Sequence, residues 1–353
     1  MSILTKATPK SLFLPECKRP LRVVALALSA LDRAEFLPED LVVQLEKLAE
    51  RVEWLDPAIA AAGPAAWAAR LAESGAEALI SGWSTPRLPE VTPRGLSYVC
   101  HLTGSVRGVV SRAQVERGLL VTNWGGSIAR VVAEGTLMHI LAATRRVGYW
   151  GPAMHRDRAW KNRATETASL FGRRVGLHGF GQVARELTGL LQPFGVHVAV
   201  HAPDAASAAA EGWRIHPVDT LEELFAENDV VVELAPLNSH TEGVVTERLL
   251  RLLRPGTIFV NTARGLLVDD AALVRVAQEG RIIVGLDVFA AEPLPPDHPL
   301  RGLPNVLLTP HIAGPTTDRR LDAGLHALRN LRAFAEGATL EAIVTTEIYD
   351  LST

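Results

Sequence analysis

The feature that most constrains this chain is the run Val175-Gly-Leu-His-Gly-Phe-Gly-Gln-Val-Ala184. An apolar run, Arg174–His178, leads into it, and an amphipathic run with Val183, Leu187, Leu190, Leu191 and Phe194 on one face leads out. The pattern G-x-G-x-x-A therefore sits between a strand and a helix, the setting that gives it physical meaning. Gly179 permits the tight turn, and the missing side chain at Gly181 lets a pyrophosphate approach the backbone. Ala184 is small enough for close packing of helix on strand, and the helix start offers unpaired N–H groups at Gln182 and Val183. A glycine-rich turn that binds nothing is the bland alternative, and the correct flanks weigh against it.

The surrounding chain repeats the strand–helix rhythm. Apolar runs at Arg174–His178, Val196–Val200, Asp229–Leu234, Thr257–Asn261, Ile282–Asp287 and Val306–Thr309 read as strands. Helical patterns at Gln182–Phe194, Leu221–Phe225, Thr246–Leu253 and Asp269–Gln278 separate most of them. Continuous apolar strands alternating with helices predict an α/β fold, a doubly wound parallel sheet covered on both faces, over residues 124–314. Earlier, Val23–Leu28, Ala78–Ser81, Tyr98–Leu102 and Leu119–Val121 read as strands and Pro38–Glu50 as a helix. The tail Thr317–Gly337 reads as one long helix without strand partners, expected to pack on the first segment. The predicted organisation is a discontinuous domain, 1–123 plus 315–353, with the 124–314 domain inserted. Alanine-rich Pro203–Gly212 reads as a loop and short helix.

Charge and cysteines exclude several classes. Lys and Arg number 36 against 39 Asp and Glu, a net charge of −3, with no basic stretch longer than pairs such as Arg145-Arg146. Nucleic acid and anionic membrane surfaces are therefore not expected partners. No run approaches the roughly eighteen apolar residues that span a bilayer. Two cysteines, Cys17 and Cys100, make neither a disulfide framework nor a thiolate zinc site and suit a reducing cytoplasm. His197 and His201 lack zinc-site spacing, so no metal is expected.

Four clusters fall just past strand ends, where open α/β sheets place ligands: Leu234–Leu237, Asn261–Gly265, Leu286–Phe289 with Glu292-Pro293, and Thr309–Gly314. One arginine, one glutamate and one histidine at neighbouring strand ends suit hydride transfer to or from a carbonyl. His311 would give a proton to the carbonyl oxygen in reduction and take it back in oxidation. Glu292, hydrogen-bonded to it, would favour the imidazolium. Arg264 would pair with a substrate carboxylate and polarise the reacting oxygen. Asp287 would accept from a nicotinamide carboxamide. Taken singly, Arg264 also reads as a surface cation, His311 as a core histidine and Glu292 as a solvated loop carboxylate. The ribose is less clear: the second strand ends in His201-Ala202-Pro203, and Asp204 reads equally as a ribose contact or a solvated carboxylate. No arginine follows until Arg214, which favours NAD and leaves NADP open.

These motifs together resemble the D-isomer-specific 2-hydroxyacid dehydrogenase family, through VGLHGFGQVA (175–184), APLNSHTEG (235–243), NTARGLLVDDAAL (261–273), GLDVFAAEPLPPDHPL (285–300) and LPNVLLTPHIAG (303–314). The resemblance spans most of residues 95–340. It implies a Rossmann-type domain inserted in a flavodoxin-like substrate domain, a homodimer, and NAD(P)-dependent interconversion of a small anionic D-2-hydroxy acid and its 2-keto acid. The catalytic set falls on Arg264, Glu292 and His311. Cofactor contacts fall on Gly179, Gly181, Gln182, Val183, Ala235, Pro236, Thr262, Ala263, Arg264, Asp287, His311 and Gly314. Formate dehydrogenases of this fold carry glutamine where Glu292 stands, which argues against that branch.

Departures from the family pattern carry their own expectations. The family's ribose-binding acid aligns with Ala202. The substrate-carboxylate loop falls on Thr103-Gly104-Ser105-Val106-Arg107, where backbone N–H groups of Gly104 to Val106 would cradle a carboxylate and Arg107 replaces the usual acid. An extra cation there suggests a bulkier or more acidic substrate, such as a sugar-acid derivative. The Gly-x-Asn before the linking helix becomes Ser127-Ile128. Trp83, Trp124, Trp150 and Trp160 read equally as cleft or packing residues. The competing class is a nucleotide-sensing, co-repressor-like protein, or a catalytically weakened family member. Such co-repressors resemble the same family but carry long tails, so a chain stopping at Thr353 is expected to be a plain enzyme.

Overall fold

The structure, a computed structural model, describes residues 20–162, 165 and 167–351. Cys17 and the basic residues before it lie outside them. The chain divides into two compact units. One is formed by the described residues of Met1–Ile128 and Thr316–Thr353, the other by those of Ala129–Pro315.

The first unit is built on five parallel strands: β1 (Leu21–Ala27), β2 (Ala49–Trp54), β3 (Ala78–Ser81), β4 (Tyr98–His101) and β5 (Leu120–Thr122), in the order β2-β1-β3-β4-β5. The central strands are wholly buried, which explains their uninterrupted apolar reading. One expectation fails here. The predicted helix Pro38–Glu50 ends at Glu46, and Ala49–Trp54 forms the edge strand β2. Pro38 opens that helix with Glu39 and Asp40 in its first turn. The strand escaped notice because it pairs on one side alone, so its charged residues remain at the rim. Glu53 takes ion pairs from Arg51 and Arg70.

The tail helix runs Arg320–Glu336, shorter than the predicted Thr317–Gly337, and Gly337 closes it in the left-handed conformation. It packs on the first segment. Arg320 pairs with Glu35, the Phe334 ring lies 4.7 Å from Tyr98, and Gly324 is so close to Phe36 that a Cβ would fall 1.9 Å from its carbonyl oxygen. Cys100 is buried beneath this helix, and burial raises its thiol to about 11, so it is unreactive.

The second unit carries seven parallel strands: β6 (Arg174–His178), β7 (His197–His201), β8 (His216–Pro217), β9 (Val230–Glu233), β10 (Ile258–Asn261), β11 (Ile283–Leu286) and β12 (Val306–Leu308). Their order, β12-β11-β10-β9-β6-β7-β8, is doubly wound, with the chain reversing direction across the sheet between β6 and β9. This matches the predicted α/β architecture, with strand limits shifted by a residue or so and β8 added. The helix Ala129–Thr144, apolar on most sides, is buried against the β10–β12 region. Pro203–Gly212 contains the short helix Ala205–Ala210. Among the described residues no helix is long and apolar enough to cross a membrane, and no cluster of metal-ligating side chains is found.

Candidate active site

Every catalytic candidate lies at the C-terminal ends of β10, β11 and β12, within the second unit. Arg264 follows β10, and Asn261 shapes its turn: the amide oxygen accepts Ala263 N–H at 3.0 Å and the amide nitrogen donates to Arg264 O at 2.9 Å. The guanidinium reaches back to Ala263 O at 2.7 Å. Burial lowers Arg264 from the usual guanidinium range, opposed by the nearby negative charge of Glu292. Arg264, Glu292 and His311, far apart in sequence, thus share one electrostatic neighbourhood.

His311 Nδ1 lies 2.8 Å from Glu292 Oε2, and the other Glu292 oxygen accepts Phe289 N–H at 3.0 Å. A carboxylate anchored by backbone holds the Nδ1 edge of the imidazole, leaving Nε2 for other chemistry. His311 itself is 49% exposed and sits at φ +54°, a left-handed conformation that bulky residues seldom adopt. Such strain persists where surrounding structure enforces it.

Asp287 binds the two residues that follow His311. Its side chain was expected to accept from a nicotinamide carboxamide. In the structure one oxygen accepts Ile312 N–H and the Thr309 hydroxyl, and the other accepts Ala313 N–H, at 2.8, 2.5 and 2.8 Å. With 1% exposure, this carboxylate holds the loop that carries His311. Thr262 is likewise buried, its hydroxyl 2.8 Å from that of Thr136. Gly314 abuts Val132, where a Cβ would fall 2.9 Å from Cγ2.

On the same C-terminal edge of the sheet, after β6, the glycine turn takes the form the sequence implied. Gly179 has φ +96°, and a Cβ there would lie 2.8 Å from Leu234 O and 2.9 Å from Ala235 N. Leu234 and Ala235 therefore close over the turn, and Pro236 beside them is exposed. Gly181 faces open space, with nothing within 4 Å of a built Cβ, and no side chain caps the helix Gln182–Leu191 that starts beside it. Gln182 is exposed and Val183 half-buried. An open glycine at an uncapped helix start fits a dinucleotide pyrophosphate.

Two residues here were missed by sequence reasoning. His178 Nδ1–H donates to buried Glu233 Oε2 at 2.8 Å, and Glu233 Oε1 accepts Ala235 N–H at 3.0 Å. The pair ties the end of β6 to the end of β9 under the turn. An acid closing an otherwise apolar β9 was the signal for it. Asp204 is half-exposed and pairs with Arg185 at 3.0 Å, and Arg185 lies over the rings of Phe180 and Trp213.

The first unit holds the remaining candidates. Gly104 packs under Trp124, 3.0 Å from a built Cβ to the indole, and Asn123 donates to Gly104 O at 2.8 Å. Gly104 and Ser105 are half-buried, while Val106 is buried in the apolar core. Arg107 departs most from expectation: its guanidinium donates to Tyr349 O and Asp350 O at 2.9–3.1 Å and lies over the Tyr349 ring. It fastens the terminal helix Thr346–Leu351, and so gives no support to a bulkier or more acidic substrate. Ile128 is buried, and Ser127 Oγ is buried without a hydrogen-bond partner. Trp83 packs edge-on against Trp124 and Phe36, and Trp150 against Tyr149.

Comparison with known proteins agrees with this geometry. A family model described as D-isomer specific 2-hydroxyacid dehydrogenase, NAD binding domain, matches residues 137–313. The chain is 34% identical over 238 residues to a glyoxylate reductase of Aeropyrum pernix, covering 65% of this chain and 71% of that protein. It is 33% identical to a D-3-phosphoglycerate dehydrogenase of Mycobacterium tuberculosis, of which it spans 42%. A solved structure from Thermus thermophilus aligns with a TM-score of 0.74 at 30% identity, over 92% of this chain and all of that one. A D-2-hydroxyisocaproate dehydrogenase shares the fold with a TM-score of 0.73 at 20% identity, over 92% of this chain and all of that one. With the doubly wound sheet, the open glycine turn and the Arg–Glu–His strand ends all in place, the chain belongs to the D-isomer-specific 2-hydroxyacid dehydrogenases, NAD(P)-dependent oxidoreductases of 2-hydroxy acids.

Proposed function

We propose that the protein reduces a small 2-keto acid to the D-2-hydroxy acid, with His311 as proton donor, Glu292 as its orienting partner and Arg264 as the carboxylate-binding cation. The observation that carries this reading is the 2.8 Å bond from His311 Nδ1 to Glu292 beside a partly buried Arg264. Bound NADH or NADPH supplies the hydride. The protein's own part is positional and electrostatic. Glu292 fixes the imidazole so that Nε2 presents its proton to the developing alkoxide. Arg264, drawn out of water, pairs with a carboxylate more strongly than an exposed arginine would. In the oxidative direction the same nitrogen receives the hydroxyl proton.

Glyoxylate is the first substrate to try, because relatives at 33–34% identity are named glyoxylate reductases and nothing at Arg107 calls for a larger acid. Gly104 and Ser105 are proposed as further carboxylate contacts through their backbone N–H groups. The domain reading that accompanies this is a nucleotide-binding unit inserted into a substrate-binding one. A homodimer is proposed from the apolar surface around the helix Val147–Asp157, where Val147, Met154 and Trp160 are exposed, Trp160 by 73%. A reducing cytoplasm suits its buried free thiol at Cys100. NADH and NADPH oxidation with glyoxylate, hydroxypyruvate and pyruvate tests the reading, against His311→Ala. The variant is expected to bind NADH normally and to lose turnover. Equal turnover by variant and wild type would sink the mechanism.

A further inference from the structure

The helix Ala129–Thr144 buries a histidine that the chemistry above does not use. His139 is fully buried, on the face turned toward the β12 loop. Its Nδ1 lies 2.8 Å from Gly135 O and its Nε2 lies 2.7 Å from Thr309 Oγ1. Thr309 Oγ1 in turn lies 2.5 Å from Asp287 Oδ1, and Asp287 receives the backbone N–H groups of Ile312 and Ala313. The helix is pressed against the same loop: a Cβ on Gly135 would fall 2.3 Å from Ala313 O.

Counting protons along this chain fixes its charge. Gly135 O accepts and cannot donate, so Nδ1 carries a hydrogen. Two links remain, Nε2 to Oγ1 and Oγ1 to Oδ1, and each needs one hydrogen between its heavy atoms. The threonine hydroxyl supplies one. The second must sit on Nε2 or on the carboxyl, because two facing lone pairs at 2.7 Å in a buried site would repel. Asp287 already accepts two backbone N–H bonds, which favour its ionised form. The proton therefore belongs on Nε2, and the chain reads imidazolium, hydroxyl, carboxylate.

We propose that His139 is a positioning residue for the catalytic loop: as a buried imidazolium it neutralises Asp287 through Thr309 and so holds residues 311–313, with His311 in its left-handed conformation, in register for proton transfer. An isolated carboxylate in this position would be a costly buried charge. The relay supplies the counter-charge without placing a cation beside the substrate.

The catalytic arm rests on His311 being the proton donor, and the spectroscopic arm does not. With ¹⁵N-histidine labelling, His139 is expected to show two protonated ring nitrogens at neutral pH. A ring with an unprotonated Nε2 overturns the proposal whatever the kinetics. In NADH-dependent glyoxylate reduction, Thr309→Val and His139→Leu are expected to lower kcat by about 10- to 100-fold, since a misplacement of about 1 Å costs on the order of 100-fold. NADH affinity should stay near wild type. Thr309→Ser, which keeps the hydroxyl, should restore most of kcat. If Thr309→Val turns over like wild type, or Thr309→Ser is as impaired as Thr309→Val, the relay does not position the loop. Should His139→Leu fail to fold, the threonine pair and the labelled wild type still decide.

Discussion

Gly265→Ala gives the sharpest test of how the site is held. Gly265 follows Arg264, and a Cβ on it would fall 1.9 Å from the carbonyl carbon of Phe289, 2.2 Å from its oxygen and 2.3 Å from Ala290 N. All three are backbone atoms, so no side chain can swing aside. Ordinary contact begins near 3.4 Å, and the two loops must part by about 1.5 Å to reach it. Phe289 N–H is the anchor of Glu292, which in turn holds His311. The displacement therefore enters the Arg264–Glu292–His311 set from both sides. Overpacking of this kind costs about 1–3 kcal/mol of stability, and a displacement beyond about 1 Å at a reacting group costs on the order of 100-fold in rate. The assay is steady-state NADH-dependent glyoxylate reduction beside a thermal melt. Gly189→Ala, inside the helix Gln182–Leu191 with nothing near its built Cβ, serves as the control and should melt at or slightly above wild type. Wild-type kcat/KM together with an unchanged melt for Gly265→Ala would refute the claim that these loops meet backbone to backbone.

Two further outcomes follow from other positions. Gly181→Ala meets nothing within 4 Å and keeps an ordinary φ of −73°, so it should fold as well as wild type, yet weaken NADH binding in a fluorescence titration because its methyl fills the space a pyrophosphate needs. Unchanged affinity would remove the pyrophosphate from this turn. Burial lowers His101 from 6.5 to about 4 while Ser81 and Thr103 hold its ring nitrogens, and a backbone bond at Ser105 opposes the shift. As pH falls below 6.5 the unfolded chain takes up a proton that the folded unit refuses. Stability is thus full above 6.5 and is lost progressively down to about 4, by about 3 kcal/mol in all. Urea denaturation at neutral pH and near pH 4 should show a smaller loss for His101→Asn, and parallel losses in the two proteins would contradict the assignment.

What could be read from sequence follows from how local each signal is. The glycine turn and the Pro310-His311 strand end announce themselves because the residues that matter are adjacent. The strand β2 did not, because an edge strand keeps charges along its rim and mimics a helix surface. Asp287 was recognised as important, but its bonds to backbone N–H groups some 25 residues away were not legible, because no side-chain pattern records them. Arg107 was read from its neighbours, whereas its partners lie more than 240 residues later in the terminal helix. His139 stayed invisible for the same reason, with its hydroxyl partner 170 residues downstream.

The placement of the tail helix has a consequence for how the protein is made. Its contacts with Phe36, Glu35 and Tyr98 join residues synthesised late to residues synthesised much earlier. On the ribosome, the sheet of the first unit emerges first but lacks this helix until the intervening residues 129–315 have been translated. Residues 129–315, by contrast, are contiguous and can close on themselves as soon as they emerge. The nucleotide-binding unit is thus positioned to mature first, while the apolar seat of the tail helix waits, uncovered, until residues 320–336 follow it.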